Sequence, residues 1–589
     1  MICKLMAPPG EKRPRGGWKM QANAARSRSP PRQAHYSHTV LGHLRSWGEG
    51  KLTAVDLWKC MRNMQQDKFE HPAIERLSKI AAGGENHCLA NLIGLLDSHT
   101  EISTFLTELP TGDTVQWCIK PTTVFCKLLT ANREKFMKTM VGGSEQRIEN
   151  FWTGLFASEH GKELKELHPW LRDKSPSDLK RAVPLRLHED AGPFSLGGSV
   201  NVLSWSPLLG KGLELESKFV YCNYIKQAGE IPDSNAWKLF VDDLEMLAAG
   251  MLPDGTSIAG SDNLEWSGIM IFGGADLEVE CLCWGLASYN EATSDCCGWC
   301  LGDKLHRPLT DLRRQAAWRS TEIMSNDLFM ERVRSSRNHP ISHAAFANKH
   351  FFRLDVMHVY DHHGIACIVV ASTLRHSIVN DMSLGPNQQH RLDAVNVLVD
   401  TFNRESKATI NIPRFKLHNL TLDDWSELHG PLYKSAICRH CAQFSLYFAE
   451  RYYTTTSDFD VAVLAANRAL CKVYDILYTA GTFMTAGELE ELKTITMELG
   501  LSFHLLRDIC KQRGELFWHV KPKVHIGQHL AHQCILINAR MIQNYAEESL
   551  IGKMALIWEA SCSGPYHRTI QRHTLLKYLV FWAILAELA

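Results

Sequence analysis

The stretch LRLHEDAGPF, Leu185–Phe194, decides how the rest of the chain is read. Leu185 and Leu187 alternate with other residues at the period of a strand. The run ends in His188, Glu189 and Asp190. Ala191, Gly192 and Pro193 follow, and such turn formers predict that the strand stops there. An acid at a strand end lines a site only if other acids reach it. The reading therefore works outward from Asp190.

From 183 to 300 the period changes from that of the preceding helices. VPLRLHED (183–190), SVNVLSW (199–205) and KFVYCNYI (218–225) read as three successive strands. SNAWKLFVDDLEMLAAG, Ser234–Gly250, reads as an amphipathic helix with Trp237, Phe240, Leu244 and Leu247 inward. WSGIMIFGGAD, Trp266–Asp276, reads as a fourth strand, and LEVECLCWGLA begins another helix at once. Three strands, a helix, a strand and a helix is the element order of an RNase-H-like fold. In that layout the first and fourth strands are neighbours, so Asp190 and Asp276 come together at their C-terminal ends. The expected class is α/β with a large helical content. An RNase-H-like mixed sheet core is interrupted by a long all-helical insertion and preceded by a helical N-terminal region.

The rest of the chain divides around that core. Residues 1–45, with EKRPRGGWK and RSRSPPR, read as a disordered basic tail, either a nuclear-import signal or a phosphate-contacting arm. Residues 46–180 read as a helical domain, from AIERLSKIAA, CLANLIGLL and TTVFCKLLTANREKFMKTM, with Ser175 or Ser177 as a helix N-cap. The core's first part spans 181–300. Residues 301–520 read as the helical insertion, with PLTDLRRQAAWRS and RLDAVNVLVDTFNRES among its helices. Residues 521–589 supply the core's C-terminal helices, including YAEESLIGKMALIWEAS.

Composition narrows the class. The 64 basic residues balance 64 acidic ones, so the formal net charge is zero and any nucleic-acid surface must be local. The 18 cysteines are too sparse for a disulfide scaffold, and the N-terminus lacks an apolar signal region. A reduced compartment is expected, with paired cysteines as thiols or metal ligands. LLKYLVFWAILAELA, Leu575–Ala589, is too short and interrupted to span a membrane and reads as a core helix. No membrane partner is expected. The chain stops within this helix, which reads as a truncated product.

Three constellations carry chemistry. The first is Asp190, Asp276 and an acid of NYAEESLIGK, Glu547 or Glu548, on a helix expected to pack on the sheet. Hard Mg²⁺ (or Mn²⁺) ions take oxygen ligands, and a pair of them can activate an attacking oxygen and stabilise a leaving one. The second is DCCGWC, Asp295–Cys300, in which Cys297 and Cys300 form a CxxC with Gly298 between them. Cys296 is the alternative first ligand. A tetrahedral Zn²⁺ needs two more ligands. Candidates are His358, His362 and His363 in DVMHVYDHHG, His358 foremost, and Cys438 and Cys441 in CRHC. The third is KPKVHIGQHLAH, where His525 and His529 share one helix face at a spacing that suits zinc. The glutamate of HExxH is missing, so they read as helix-surface histidines beside Lys521 and Lys523, two possible phosphate contacts.

The order of these motifs resembles that of CACTA-type (En/Spm-like) and KDZ-type DDE transposases. ADLEVECLCWGLASYNEATSDCCGWC is similar to the block around that family's second catalytic Asp, here Asp276 with Gly285, Ser288, Cys297 and Cys300. FFRLDVMHVYDHHGI is similar to its Asp-x-Met-His stretch, here Asp355, Met357, His358 and Gly364. KPKVHIGQH and NYAEESLIGK resemble the segments leading into and carrying the last acid, here Glu548 with Gly552, and LHEDAGPF then takes the first-Asp position. The resemblance covers residues 180 to 580. It implies Mg²⁺-dependent DNA strand cleavage and transfer by Asp190, Asp276 and Glu548 in a nuclear, homo-oligomeric protein. The departures are the acid pair at the first position, which leaves Glu189 as the alternative to Asp190, Ser549 after the last acid, the extra Cys296, and Gly298 in place of the family's Pro. They leave a second expectation beside the first: a catalytically inactive, transposon-derived scaffold that binds DNA or protein. A helical zinc-binding interaction protein is the third.

Overall fold

The computed structural model describes residues 42–588 except 44–45, 67–87, 89–101, 110–116, 195–197, 212–214, 226–233, 261, 290–294, 323, 407–410, 422–423, 431, 434, 455 and 563–566. The basic tail, AIERLSKIAA and all of CLANLIGLL but Cys88 lie outside the described residues. The protein is α/β, 56% helix, with one mixed sheet of four strands.

Ahead of that sheet stand the helices Ala54–Gln66, Pro121–Ala131, Glu145–Leu155 and α1 (Glu159–Leu167), with an unanticipated two-stranded hairpin, Leu106–Glu108 against Trp117–Ile119. Ser175 caps a turn rather than a helix: its hydroxyl accepts from the Asp178 amide, 3.2 Å away. This region is tied to the sheet by Trp152, whose indole N–H donates to the Ala182 carbonyl at 3.0 Å, and by His168 at 3.0 Å from the Met270 carbonyl.

The sheet is built from β1 (Ala182–Phe194), β2 (Gly198–Pro207), β3 (Phe219–Ile225) and, after helix α2 (Ser234–Ala248), β4 (Ser267–Ala275). Its order is β3-β2-β1-β4. The first three strands run antiparallel, and β4 lies parallel to β1. β1 and β4 are both largely buried; β4 reads as a nearly continuous apolar run, whereas β1 buries Arg186, His188, Glu189 and Asp190 among its apolar residues. In the parallel pair Glu189 stands opposite Ala275, the last residue of β4, so Asp190 and Asp276 each lie one residue past the last rung that the two strands share.

Strand β1 does not stop at Asp190. Ala191–Phe194 continue its pairing with β2 as far as Phe194 opposite Gly198, while the pairing with β4 ends at Glu189. Pro193 is tolerated because only one neighbour strand remains there. Gly192 serves a close approach rather than a break: a Cβ on it would meet Ile551 Cγ2 at 2.6 Å.

After β4 come the short helix α3 (Leu277–Leu282) and the helices α4 (Ile365–Asn380), α5 (Asp458–Thr479), α6 (Ala486–Arg513), α7 (Pro522–Gln533), α8 (Tyr545–Glu559) and α9 (His567–Leu588). α4 is buried on all sides and therefore shows no polar stripe. α6 starts at a Thr485–Glu488 capping box and ends at Gly514, whose φ of 70° suits glycine. The expected helix in PLTDLRRQAAWRS reduces to a single 3₁₀ turn, Ala317–Thr321. α8 packs across β1 and β2, and α2 packs on β4. One continuous apolar cluster runs from Trp47 to Trp582. No helix among the described residues is long and apolar enough to cross a membrane.

Candidate metal-binding sites

Alternation along β1 sends Glu189 and Asp190 to opposite faces. Glu189 is fully buried and held by the Tyr224 hydroxyl at 2.6 Å, the Trp284 indole at 3.3 Å and the Asn201 amide at 3.4 Å. Asp190 instead faces α8. There Asp190, His358 and Glu548 place one potential ligand atom each within 4.8 Å of one another. His358 Nε2 is 3.4 Å from Glu548 and 3.9 Å from Asp190.

Asp355 fixes this arrangement. Its Oδ2 accepts from His358 Nδ1 at 2.7 Å and from the His358 amide at 3.2 Å. Its Oδ1 accepts from the amides of Met357 at 3.2 Å and Asn544 at 3.0 Å, which anchors the start of α8. One carboxylate thus orients both the imidazole and the helix that carries Glu548. Burial opposes charge on His358, but its contacts with Asp355 and Glu548 raise it well above its ordinary value.

The acids share a proton. Burial foremost, then the hydrogen bond with Glu548 and the charges of Asp276 and Glu548, push Asp190 up to about 9. Glu548 goes the other way: burial works against it, yet hydrogen bonds from His358 and Asp190 hold it down to about 2. The pair titrates as a unit. The site is open on the Glu548 side, whose side chain is 39% exposed against 10% for Asp190.

Asp276 borders this cluster without joining its tight ligand group. Its Oδ1 caps α3 by accepting the Val279 amide at 2.6 Å, and its charge acts on Asp190. Four residues on, Glu280 is fully buried, and burial together with the Asp276 charge raises it well above the usual carboxylate range. Glu547 takes a different part from Glu548. It is buried in ion pairs with Arg186 and with Lys218, the latter at 2.6 Å.

The cysteine site needs a correction. Cys297 and Cys300 do not meet His358; they meet His525 and His529, and all four are buried with ligand atoms within 4.8 Å of one another. Cys297 Sγ is 3.5 Å from His529 Nε2, Cys300 Sγ is 3.4 Å from His525 Nε2, and the two Nε2 atoms are 3.1 Å apart. The histidines of α7 are therefore not on a helix surface. Cys296 stays outside the cluster. Cys438 faces Cys367 at 3.6 Å inside the helical region. His363 pairs with Glu427 at 3.4 Å.

The donor set fits a tetrahedral ion. The amides of Trp299 and Gly302 donate to the two sulfurs at 3.4 and 3.3 Å, and Arg332 clamps the Cys297 and Cys300 carbonyls at 2.9 and 3.3 Å. Burial opposes ionisation of Cys297, but the Cys300 hydrogen bond and the His529 charge hold it well below its ordinary value. Cys300 is raised, first by its hydrogen bond with Cys297. One proton between two facing sulfurs is what a metal ion would replace. Glu322 lies 3.6 Å from Nδ1 of His529, as an outer carboxylate orienting a ligand does. The Trp318 ring packs on His525 and His529, with centroids 4.2 and 5.4 Å away. These Cys and His side chains could hold a metal such as zinc.

The sequence signal that could have found the histidines is their own four-residue spacing, taken together with a CxxC in need of two partners. No protein-family model matches the chain, and no match is found among curated protein sequences.

Proposed function

We propose that the chain is a DDE-type transposase-like protein. Its sheet is read as an RNase-H-like core, and its chemistry as Mg²⁺- or Mn²⁺-dependent DNA strand cleavage and transfer in the nucleus. One observation carries this reading: Asp190 and Asp276 each lie one residue past the last rung shared by the parallel strands β1 and β4, and Glu548 reaches Asp190 from a helix far along the chain. Carboxylate oxygens with one imidazole suit a hard divalent cation. Bound there, the cation would supply charge neutralisation at a phosphodiester and activate the attacking oxygen. Asp190 and Glu548 would hold it, and Asp276 would flank it. Asp355 would keep His358 oriented beside it, and Glu547, locked between Arg186 and Lys218, would steady the helix.

The test is purified full chain with Mn²⁺ and supercoiled DNA. Nicking is expected, and Asp276→Asn should abolish it; wild-type nicking by that variant rejects the assignment. A second reading is favoured by the position of His358, whose Nε2 lies 3.4 Å from Glu548 and 3.9 Å from Asp190 and bridges the acids itself. It is an inactive scaffold that keeps the fold, and it predicts a zinc-loaded protein with no Mn²⁺ bound at Asp190.

A further inference from the structure

Arg353 is a buried cation without a carboxylate partner among the described residues. Arg353 follows the bridge between Gly273 and Phe352 and is 3% exposed. Its Nη2 donates to the Gln533 carbonyl, and its guanidinium lies 5.4 Å from the centre of the Phe272 ring. Nε has no acceptor, and no carboxylate pairs with Arg353 among the described residues. Burial lowers the group only to about 10, so it stays charged at neutral pH. Buried charges are ordinarily paired, and one left alone inside a protein is costly.

Arg353 borders a cavity of about 190 Å³. Lys349, Lys493, His160 and His350 also border it. Lys349 and His350 are shared with Glu163, at 2.6 and 2.9 Å. Lys493 makes no ion pair among the described residues. The one acid in the wall, Glu322, is already engaged by His532 at 3.2 Å and Arg319 at 3.8 Å. Trp299 and Phe329 form an aromatic side, and the buried indole N–H of Trp299 also lacks an acceptor. Two cations without a carboxylate partner among the described residues, Arg353 and Lys493, therefore line one cavity. An anion rich in acceptor oxygens complements these two charges.

We propose that this cavity is an anion site that takes the phosphate group of a nucleotide. Arg353 and Lys493 are its charged contacts, and Trp299 and Phe329 its apolar wall. The volume excludes a duplex, so the phosphate comes either from a free nucleotide or from the end of a strand. The site is separate from the Asp190 cluster and does not depend on the proposed strand-transfer chemistry.

Calorimetric titration of the full chain with inorganic phosphate, a nucleoside monophosphate and the uncharged nucleoside tests it. Saturable binding of both anions is expected, with no binding of the nucleoside. Lys493→Ala, on the partly exposed face of α6, should weaken the monophosphate by about tenfold, the scale of one charge-assisted contact. Arg353→Gln should abolish it, and because that side chain is buried the Lys493 variant carries the test if Arg353→Gln fails to fold. A 5′-phosphorylated oligonucleotide that binds more tightly than the monophosphate, and loses this in Lys493→Ala, identifies a strand end; equal or weaker binding identifies the free nucleotide. Absence of saturable anion binding at millimolar concentration, unchanged affinity in Lys493→Ala, or equal binding of the nucleoside overturns the proposal.

Discussion

The two metal-competent clusters are built from similar parts and differ in what surrounds them. At the cysteine cluster every ligand is buried, and backbone amides, Arg332, Glu322 and Trp318 complete its shell. At the carboxylate cluster Glu548 opens toward solvent, and His358 sits between the acids. Closed four-ligand sites hold structure, whereas catalytic sites keep a position free for a reactant. The contrast teaches that ligand identity alone does not assign a role; the access left around it does.

The largest effect that could break this contrast is on stability. Cys300→Ala should lose the bound metal and destabilise the fold by more than about 4 kcal/mol, the range in which loss of a metal site falls. Metal analysis and denaturant unfolding measure both; an unchanged unfolding midpoint would remove the structural role. Next, Asp190→Asn should lower Mn²⁺-dependent nicking by about 10³-fold, several kcal/mol of barrier, with no loss of thermal stability. Asp190 already carries the shared proton, so the amide replaces a neutral group. A large drop in melting temperature in that variant would make the carboxylate site structural too.

The smallest effect sharpens the comparison through pH. A cation at the carboxylate cluster must displace the Asp190 proton, which is held up to about 9, while Glu548 is already ionised. Mn²⁺ affinity should therefore rise with pH across the neutral range, by at most about tenfold per unit, and level off near the Asp190 value. A flat titration by electron paramagnetic resonance would contradict the shared proton.

Much of the sheet could be read from the sequence, because period-two runs and the helix Ser234–Ala248 are local signals. The pairing of Asp190 with Glu548 was also within reach, through motif order. Other features were not local. His525 and His529 look like surface histidines until the cysteines 225 and 232 residues away fold against them. His358 has the chemistry of a zinc ligand, and only the fold shows Asp355 turning it toward the acids. PLTDLRRQAAWRS has helical spacing, yet Trp318 is drawn onto the histidine pair and the segment gives up its helix. Gly192 and Pro193 carry turn chemistry, but β2 keeps them in the strand.

The distance in sequence between the cysteines and the histidines has a consequence for the path of the chain. The polypeptide leaves through Cys297 and Cys300 and returns through His525 and His529, so four ligand atoms form a neck closing a very long loop. The entropy of closing a loop grows only slowly with its length, so the neck costs little more than one around a much shorter excursion. With an ion seated there, the helices inside the loop could breathe or acquire insertions while the strands outside kept their register. A single backbone cut within the loop would leave the two flanking pieces joined.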